Sequence, residues 1–220
     1  MTVTIAAAKA ALISIPLLLS ASGAALAQDT SMSFFVTSVG SGKGGDLGGL
    51  EGADAHCASL AEAAGITGKT WRAYLSTQEE GKRGTSARDR IGSGPWHNAE
   101  GVQIAGNLDE LHLSPNIVKS TGLDENGNLV NGRGDRPNVH DLLTGTMADG
   151  TAYFPWMEGD KTCSNWTSSG EGSATVGHHD RHGGGNTSWN AAHDTRGCSM
   201  EALAMTGGAG LFMCFATNGG

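Results

Sequence analysis

The densest group of potential metal ligands in this 220-residue chain lies between residues 178 and 194. Imidazole nitrogens together with a carboxylate bind zinc and other transition metals. Three glycines at positions 183–185 would let a loop wrap around an ion. The segment therefore predicts a transition-metal site, whose candidate ligands are His178, His179, Asp180, His182 and His193.

The same segment has a second interpretation, in which it is a solvated polar loop. His179 or Asp180 would then hydrogen-bond to nearby backbone groups. Adjacent histidines do not by themselves converge on one point, so their spacing leaves both interpretations open. A metalloenzyme that uses His178, His179, His182 and His193 is a further hypothesis, but no recognised set of acid, base and metal ligands accompanies it. The chain is accordingly predicted not to be an enzyme.

The elements that must position these residues are short. Because 35 of the 220 residues are glycine, the chain should consist mostly of loops and short strands. One helix is predicted over residues 54–64, where Cys57 and Ala61 share a face, and residues 120–137 should form a long exposed excursion. Strands are predicted over residues 34–37, 71–76, 141–144, 153–157, 163–167 and 210–216.

The N-terminal segment has the layout of a secretory signal peptide. Lys9 precedes an apolar run over residues 10–19, and the small-residue tripeptide Ala25-Leu26-Ala27 follows it. The run is shorter than the ~20 residues that a membrane span needs, so cleavage after Ala27 is predicted. Residues 1–27 are then the signal peptide, and residues 28–220 form one domain that is secreted or periplasmic and has no membrane span.

Charge and cysteine content narrow the classes of partner and of site. The chain has 14 Lys and Arg against 22 Asp and Glu, so its surface repels phosphate backbones and nucleic acid is a poor partner. All four cysteines lie in the exported part, where thiols oxidise, and none forms a C-x-x-C pair. Two disulfides are expected, and the spacing leaves three connectivities possible.

Several segments resemble a known fold. The motif GLEGADAHC at residues 49–57, together with residues 63–68 and WRAYLS at 71–76, resembles the opening of the endostatin-like branch of the C-type-lectin-like fold. Residues 143–150, CSNWT at 163–167, 172–177 and LFMCF at 211–215 resemble the rest of it. The chain is most similar to small exported bacterial proteins described as lectin-like.

The resemblance implies an α+β domain with short strands, one main N-terminal helix, long loops and two disulfides. It implies the nested pairing of Cys57 with Cys214 and of Cys163 with Cys198. It also implies a glycan-binding module of the cell envelope or extracellular space, whose partner is a glycan or a cell-surface molecule. The alternative is a structural or protein-interaction domain of the envelope that binds no sugar, because one fold hosts many functions.

Sugar sites need planar amide and carboxylate groups and an aromatic ring. On the loop side that the resemblance indicates, the candidates are Asp135, Asn138, Asn186, Trp189, Asn190 and Asp194. Calcium-dependent members of the fold supply oxygen ligands from a Glu-Pro-Asn and a Trp-Asn-Asp tripeptide. Here Arg136 replaces the acid of the first and Ala191 the final acid of the second, so two of the carboxylates that calcium needs are missing. Calcium and zinc are both retained as candidate cofactors.

Overall fold

A computed structural model describes residues 1–2 and 31–218 of the chain. The predicted signal peptide, apart from its first two residues, and its cleavage site after Ala27 lie outside the described residues. No helix among the described residues is both long enough and apolar enough to cross a bilayer.

The fold is mixed α+β, with short elements. The strands are β1 (Phe34–Val36), β2 (Trp71–Ala73), β3 (Trp96–His97), β4 (Gln103–Ala105), β5 (Asp141–Leu143), β6 (Thr175–His178), β7 (His193–Asp194) and β8 (Gly208–Ala216). The helices are α1 (Gly49–Ala63), α2 (Leu108–Leu113), the single turn α3 (Cys163–Trp166) and α4 (Met200–Ala204), with a 3-10 helix at Ala87–Asp89.

Strand β8 organises the main sheet because it pairs with three other strands. Its C-terminal half lies between β1 and β2, antiparallel to both. Its N-terminal half pairs in parallel with β5, which pairs antiparallel with β6, and β6 pairs antiparallel with β7. Strands β3 and β4 form a separate two-stranded sheet. The last strand of the chain therefore holds together elements from its beginning and its middle.

The sheet is buried on both faces, and alternation along β8 shows this. Phe212 and Cys214 belong to the core that packs under α1. Met213 and Phe215 belong to a second core on the opposite face, which contains Trp96. Since side chains of a strand point alternately to opposite faces, one apolar strand supplies both cores.

The predicted helix is present but begins earlier than expected. Helix α1 starts at Gly49, after Gly48 in the left-handed conformation (φ 75°), and ends at Ala63. Its buried face carries Ala53, Cys57 and Ala61. The small residues on this face allow close packing against the sheet, which explains why the helix extends back across glycines that favour loops.

Two disulfides close the domain, in the nested arrangement that the resemblance implies. Cys57 of α1 is bonded to Cys214 of β8, and Cys163 is bonded to Cys198. The mixed α+β architecture and the pairing are thus confirmed. The Cys57–Cys214 bridge encloses most of the chain, and such a bridge stabilises mainly by restricting the unfolded state.

The strand predicted over residues 163–167 is wrong. Residues Cys163–Trp166 instead form a left-handed turn with φ between 48° and 66°. This conformation costs roughly 1–2 kcal/mol per residue for L-amino acids, so tertiary contacts must hold it. The buried Trp166 indole donates to the Ser76 carbonyl over 2.8 Å, and Asn165 accepts from the Gln78 amide over 2.7 Å. Trp166 is completely buried, as is usual for a tryptophan in a protein core.

Two more segments depart from the sequence-based expectation. Residues 153–157 form an exposed loop rather than a strand, since Pro155 has no amide to donate to a sheet. The excursion at residues 120–137 is partly buried, because the Leu123 carbonyl accepts from the Val36 amide over 2.8 Å. Glu125, two residues after Leu123, is only 3% exposed.

Candidate metal centre

Strand pairing brings a carboxylate and two imidazoles to one face of the main sheet. Asp141, the first residue of β5, lies directly opposite His178, the last residue of β6. His193 of β7 lies opposite Val176, two residues before His178. Because residues opposite each other or two apart on a strand share a face, all three side chains point to the same side. His140 joins them from the loop immediately before β5.

The four side chains, named here the His140 cluster (His140, Asp141, His178 and His193), converge on one oxygen atom. Asp141 Oδ1 lies 3.2 Å from His140 Nε2, 3.2 Å from His178 Nε2 and 3.5 Å from His193 Nε2. Ligand atoms bound to one tetrahedral zinc at ~2.0–2.1 Å are roughly 3.3–3.4 Å apart. The distances from Asp141 Oδ1 to His140 Nε2 and to His178 Nε2 are therefore close to those of atoms that share a metal ion.

The polar atoms at the centre of this cluster are buried, and their short contacts with one another lack hydrogen-bond geometry. Asp141 is 1% exposed and His178 3%, yet neither carboxylate oxygen and neither ring nitrogen has a hydrogen-bond partner of acceptable geometry among the described residues. An unsatisfied buried polar group costs about 1–3 kcal/mol, more when it is charged. Such groups require an explanation, of which a bound ion is one.

Two of the histidines are oriented by contacts to their other ring nitrogen. His140 Nδ1 lies 3.3 Å from Asp180 Oδ1, and His193 Nδ1 lies 3.1 Å from the Asp194 carbonyl oxygen. An Nδ1–H that donates to these oxygens leaves the Nε2 lone pair facing Asp141. Metal-binding histidines are commonly held in this way by a carboxylate or a carbonyl.

Asp180 is itself fixed by the backbone. Its Oδ2 accepts from the Arg133 amide over 2.6 Å, and its Oδ1 accepts from the His182 amide over 3.0 Å. Burial by itself raises the pKa of Asp180, but these two bonds and His140 outweigh it and lower the pKa. Asp180 therefore remains ionised and positions His140.

The electrostatics of the cluster keep Asp141 ionised. Burial raises the pKa of Asp141, but His178, His193 and Thr206 together outweigh burial and hold the pKa at about 2. Asp141 in turn raises the pKa of His193. A carboxylate that is ionised at neutral pH has the form in which it binds a cation.

Of the ligands predicted from sequence, the structure brings only His178 and His193 to the centre. Asp180 acts through His140. His179 points elsewhere: its Nε2 lies 3.2 Å from the Asn131 carbonyl oxygen, and burial lowers its pKa. His182 is exposed. His179 and His182 thus fit the polar-loop interpretation, whereas His178 and His193 fit the metal-site interpretation.

His140 and Asp141 are absent from the sequence-based list. One signal was available in the sequence. A His-Asp pair stands at the start of the strand predicted from Asp141, where apolar residues are expected. Together with the buried His178, these residues form a group that could hold a metal ion, since one ligand atom from each lies within 4.8 Å of the others.

The predicted sugar-binding residues are dispersed. Asn186 lines the cleft beside the His140 cluster. Trp189 is 2% exposed and Asn190 is 1% exposed, and both lie against Tyr74. Asp194 forms an ion pair with Lys161.

The other two predicted sugar-binding residues lie in the segment before β5. Asp135 forms an ion pair with Lys119 and accepts from the Gly132 amide over 2.7 Å. Asn138 accepts from the His140 amide over 3.4 Å, which places it next to the His140 cluster. Three of the predicted sugar-binding residues therefore approach this cluster, namely Asn138, Asn186 and Asp194.

No protein-family model matches the chain. No curated protein is significantly similar to it. The geometry of the His140 cluster therefore carries the functional argument.

Proposed function

We propose that this protein is an exported binding domain that holds a divalent transition-metal ion, with zinc as the first candidate. His140, Asp141 and His178 are the proposed ligands, and His193 lies beside them. The observation that carries the proposal is the convergence of three Nε2 atoms on Asp141 Oδ1, in a place where the central polar atoms lack well-formed hydrogen bonds.

The donor set favours a transition metal over calcium. Calcium takes six to eight oxygen ligands, whereas the His140 cluster supplies one carboxylate and three imidazoles. Imidazole suits zinc, copper, iron and nickel. The orientation of His140 by Asp180 supports the same assignment, because a carboxylate behind a histidine increases its strength as a ligand.

We propose binding rather than catalysis as the role of this ion. Among the described residues, the cleft beside the cluster is lined by Arg133, histidines, glycines and small polar residues, with no carboxylate. Asp141 is assigned as a ligand, and Asp180 is engaged by His140 and two backbone amides. Neither carboxylate is therefore free to act as a general base.

A titration of metal-free protein with zinc, followed by calorimetry and elemental analysis, tests the proposal. Wild type should bind one zinc, and both His178→Ala and Asp141→Asn should weaken binding by more than about 100-fold, beyond the effect of losing an orienting residue. His182→Ala is the matched control, because this exposed histidine lies four residues after His178. Equal affinity in all four proteins, each shown to be folded by circular dichroism, would overturn the proposal.

Glycan binding is a second candidate, and an exposed aromatic pair favours it. Trp156 is 73% exposed, and its ring stacks on Phe154 with centroids 4.4 Å apart. The Arg83 guanidinium lies 3.7 Å from the centroid of the Phe154 ring. These contacts hold an indole at the surface, where a sugar ring can stack on it. The buried Trp189 does not offer such a face.

A glycan array, probed with and without zinc, tests this second function. Trp156→Ala should abolish any binding that depends on stacking, whereas Leu113→Ala, which removes another exposed apolar side chain, should leave it unchanged. Absence of binding to every glycan under both conditions, or equal loss in the two variants, counts against sugar recognition at this loop.

A further inference from the structure

The outer side of the His140 cluster opens into a cleft of about 330 Å³. The glycines at positions 183–185 form part of its wall, and Asn186 and Ala192 lie beside them. His140, His178 and His193 line it, so a small molecule in the cleft would lie next to the His140 cluster.

Arg133 brings a guanidinium to the same space. Its backbone amide is fixed by Asp180, as described above, while its side chain is exposed. Among the described residues, no hydrogen bond or ion pair engages the guanidinium. This charge therefore faces the cleft with its donors available.

Gly183 shows how close the guanidinium and the imidazoles are. A Cβ atom added at this glycine would lie 2.9 Å from Arg133 Nη1, 3.2 Å from His140 Cε1 and 3.3 Å from His178 Cε1. A side chain there would fill the space between the two kinds of group. Gly183 also has a φ of 114°, which L-residues rarely adopt, so glycine suits this position for two reasons.

The wall of the cleft carries positive charge, although the chain as a whole is acidic. The chain carries a formal net charge of −8, yet the ionisable residues that line the cleft are Arg133 and three histidines. A divalent ion would balance the two carboxylates behind the wall, Asp141 and Asp180, and the charge of Arg133 would remain in excess. A cleft with this balance attracts an anion.

We infer that the cleft binds a ligand with an oxyanion group, which approaches the metal from the open side while Arg133 donates hydrogen bonds to it. The inference rests on the proposed metal site and adds the chemical class of its ligand. Guanidinium matches a carboxylate, a sulfate or a phosphate with two parallel N–H donors. Zinc with three protein ligands, here His140, Asp141 and His178, has a fourth position for such a ligand.

The test uses zinc-loaded full-length mature protein and three probes: glucuronate, sulfate and neutral glucose. Calorimetry should show binding of glucuronate, sulfate or both, and no binding of glucose. Arg133→Ala should weaken anion binding roughly tenfold or more, the value of a hydrogen bond to a charged group, without changing zinc affinity. Arg136→Ala is the matched control, since it removes an exposed arginine three residues away that does not line the cleft.

The outcomes separate the two proposals. Zinc binding without any response to glucuronate or sulfate overturns the oxyanion inference and leaves the metal proposal intact. Failure to bind zinc overturns both. Equal loss of anion affinity in Arg133→Ala and Arg136→Ala assigns the effect to general charge and also overturns the inference. Comparison of glucuronate with sulfate shows whether a carboxylate-bearing sugar or an inorganic oxyanion is preferred.

Discussion

Two clusters of histidine and other polar side chains among the described residues differ in how their atoms are hydrogen-bonded. In the Tyr74 cluster (Tyr74, His112 and Asn190), His112 Nε2 lies 2.8 Å from the Tyr74 hydroxyl, and its Nδ1 lies 2.7 Å from the Leu108 carbonyl oxygen. Asn190 Nδ2 donates to the same hydroxyl over 3.1 Å. In the His140 cluster, by contrast, both oxygens of Asp141 and both ring nitrogens of His178 lack such partners.

The difference separates histidines that are available to bind a ligand from a histidine that stabilises the fold. The Tyr74 cluster closes its hydrogen bonds internally, and burial raises the pKa of Tyr74 and lowers that of His112, so both stay neutral. The His140 cluster retains an ionised carboxylate with imidazole edges directed at it. A cluster whose polar groups are all hydrogen-bonded makes a core rigid. Buried polar groups without hydrogen bonds need an explanation, and a bound ion would supply one.

The largest expected difference is the response to zinc. A ligand that binds only the folded state stabilises it by about 2.7 kcal/mol when its concentration is roughly 100 times Kd. Wild type should gain this amount in the free energy of unfolding, measured in urea with and without zinc. His112→Ala should gain it too, and Asp141→Asn should not. An equal gain in Asp141→Asn would remove the distinction between the clusters.

Removing a member of the Tyr74 cluster should have the opposite effect, in that it lowers the stability of the fold and leaves zinc binding unchanged. Asn190→Ala leaves the buried Tyr74 hydroxyl and the Ser188 hydroxyl without their bonds to Asn190. We expect a loss of about 2 kcal/mol in the free energy of unfolding and no change in zinc affinity. Urea denaturation and zinc calorimetry on the same variant measure both. A weaker zinc affinity here would mean that the clusters are coupled.

Acid should destabilise the metal-free protein through Asp141. The pKa of this carboxyl is about 2 in the folded protein, below its ordinary value of 3.8. Its contribution is therefore complete above pH 3.8 and is lost as the pH falls towards 2. The shift corresponds to about 2 kcal/mol. Unfolding curves between pH 5 and 2 should show this slope in wild type and a shallower one in Asp141→Asn.

Among the residues of the metal site, the smallest effect on zinc affinity is expected for Asp180, which contacts the cluster through His140. Asp180→Asn keeps the shape of the side chain but removes the charge behind His140. Zinc affinity should fall about 10- to 100-fold, less than for His178→Ala. Competition with a chelator measures the ratio. A loss as large as that of His178→Ala would make Asp180 a ligand instead of an orienting residue.

Much of the scaffold could be predicted from sequence. Alternating or continuous apolar residues indicated β1, β5 and β8, and alanine-rich spacing indicated most of α1. These signals are local, because each strand or helix buries a face that its own residues define. The turn at Cys163–Trp166 could not be predicted in this way, since contacts with Ser76 and Gln78, nearly 90 residues away, impose its left-handed backbone.

Sequence alone shows that histidines concentrate after residue 177, and it supports the hypothesis of a metal site there. Which histidines meet was decided by strand pairing. The register that places Asp141 opposite His178 puts both on one face. The neighbouring His179 lies in the turn after β6, where its ring contacts the Asn131 carbonyl instead. Spacing within one segment cannot show this, because half of the cluster comes from residues 140 and 141, nearly 40 positions earlier in the chain.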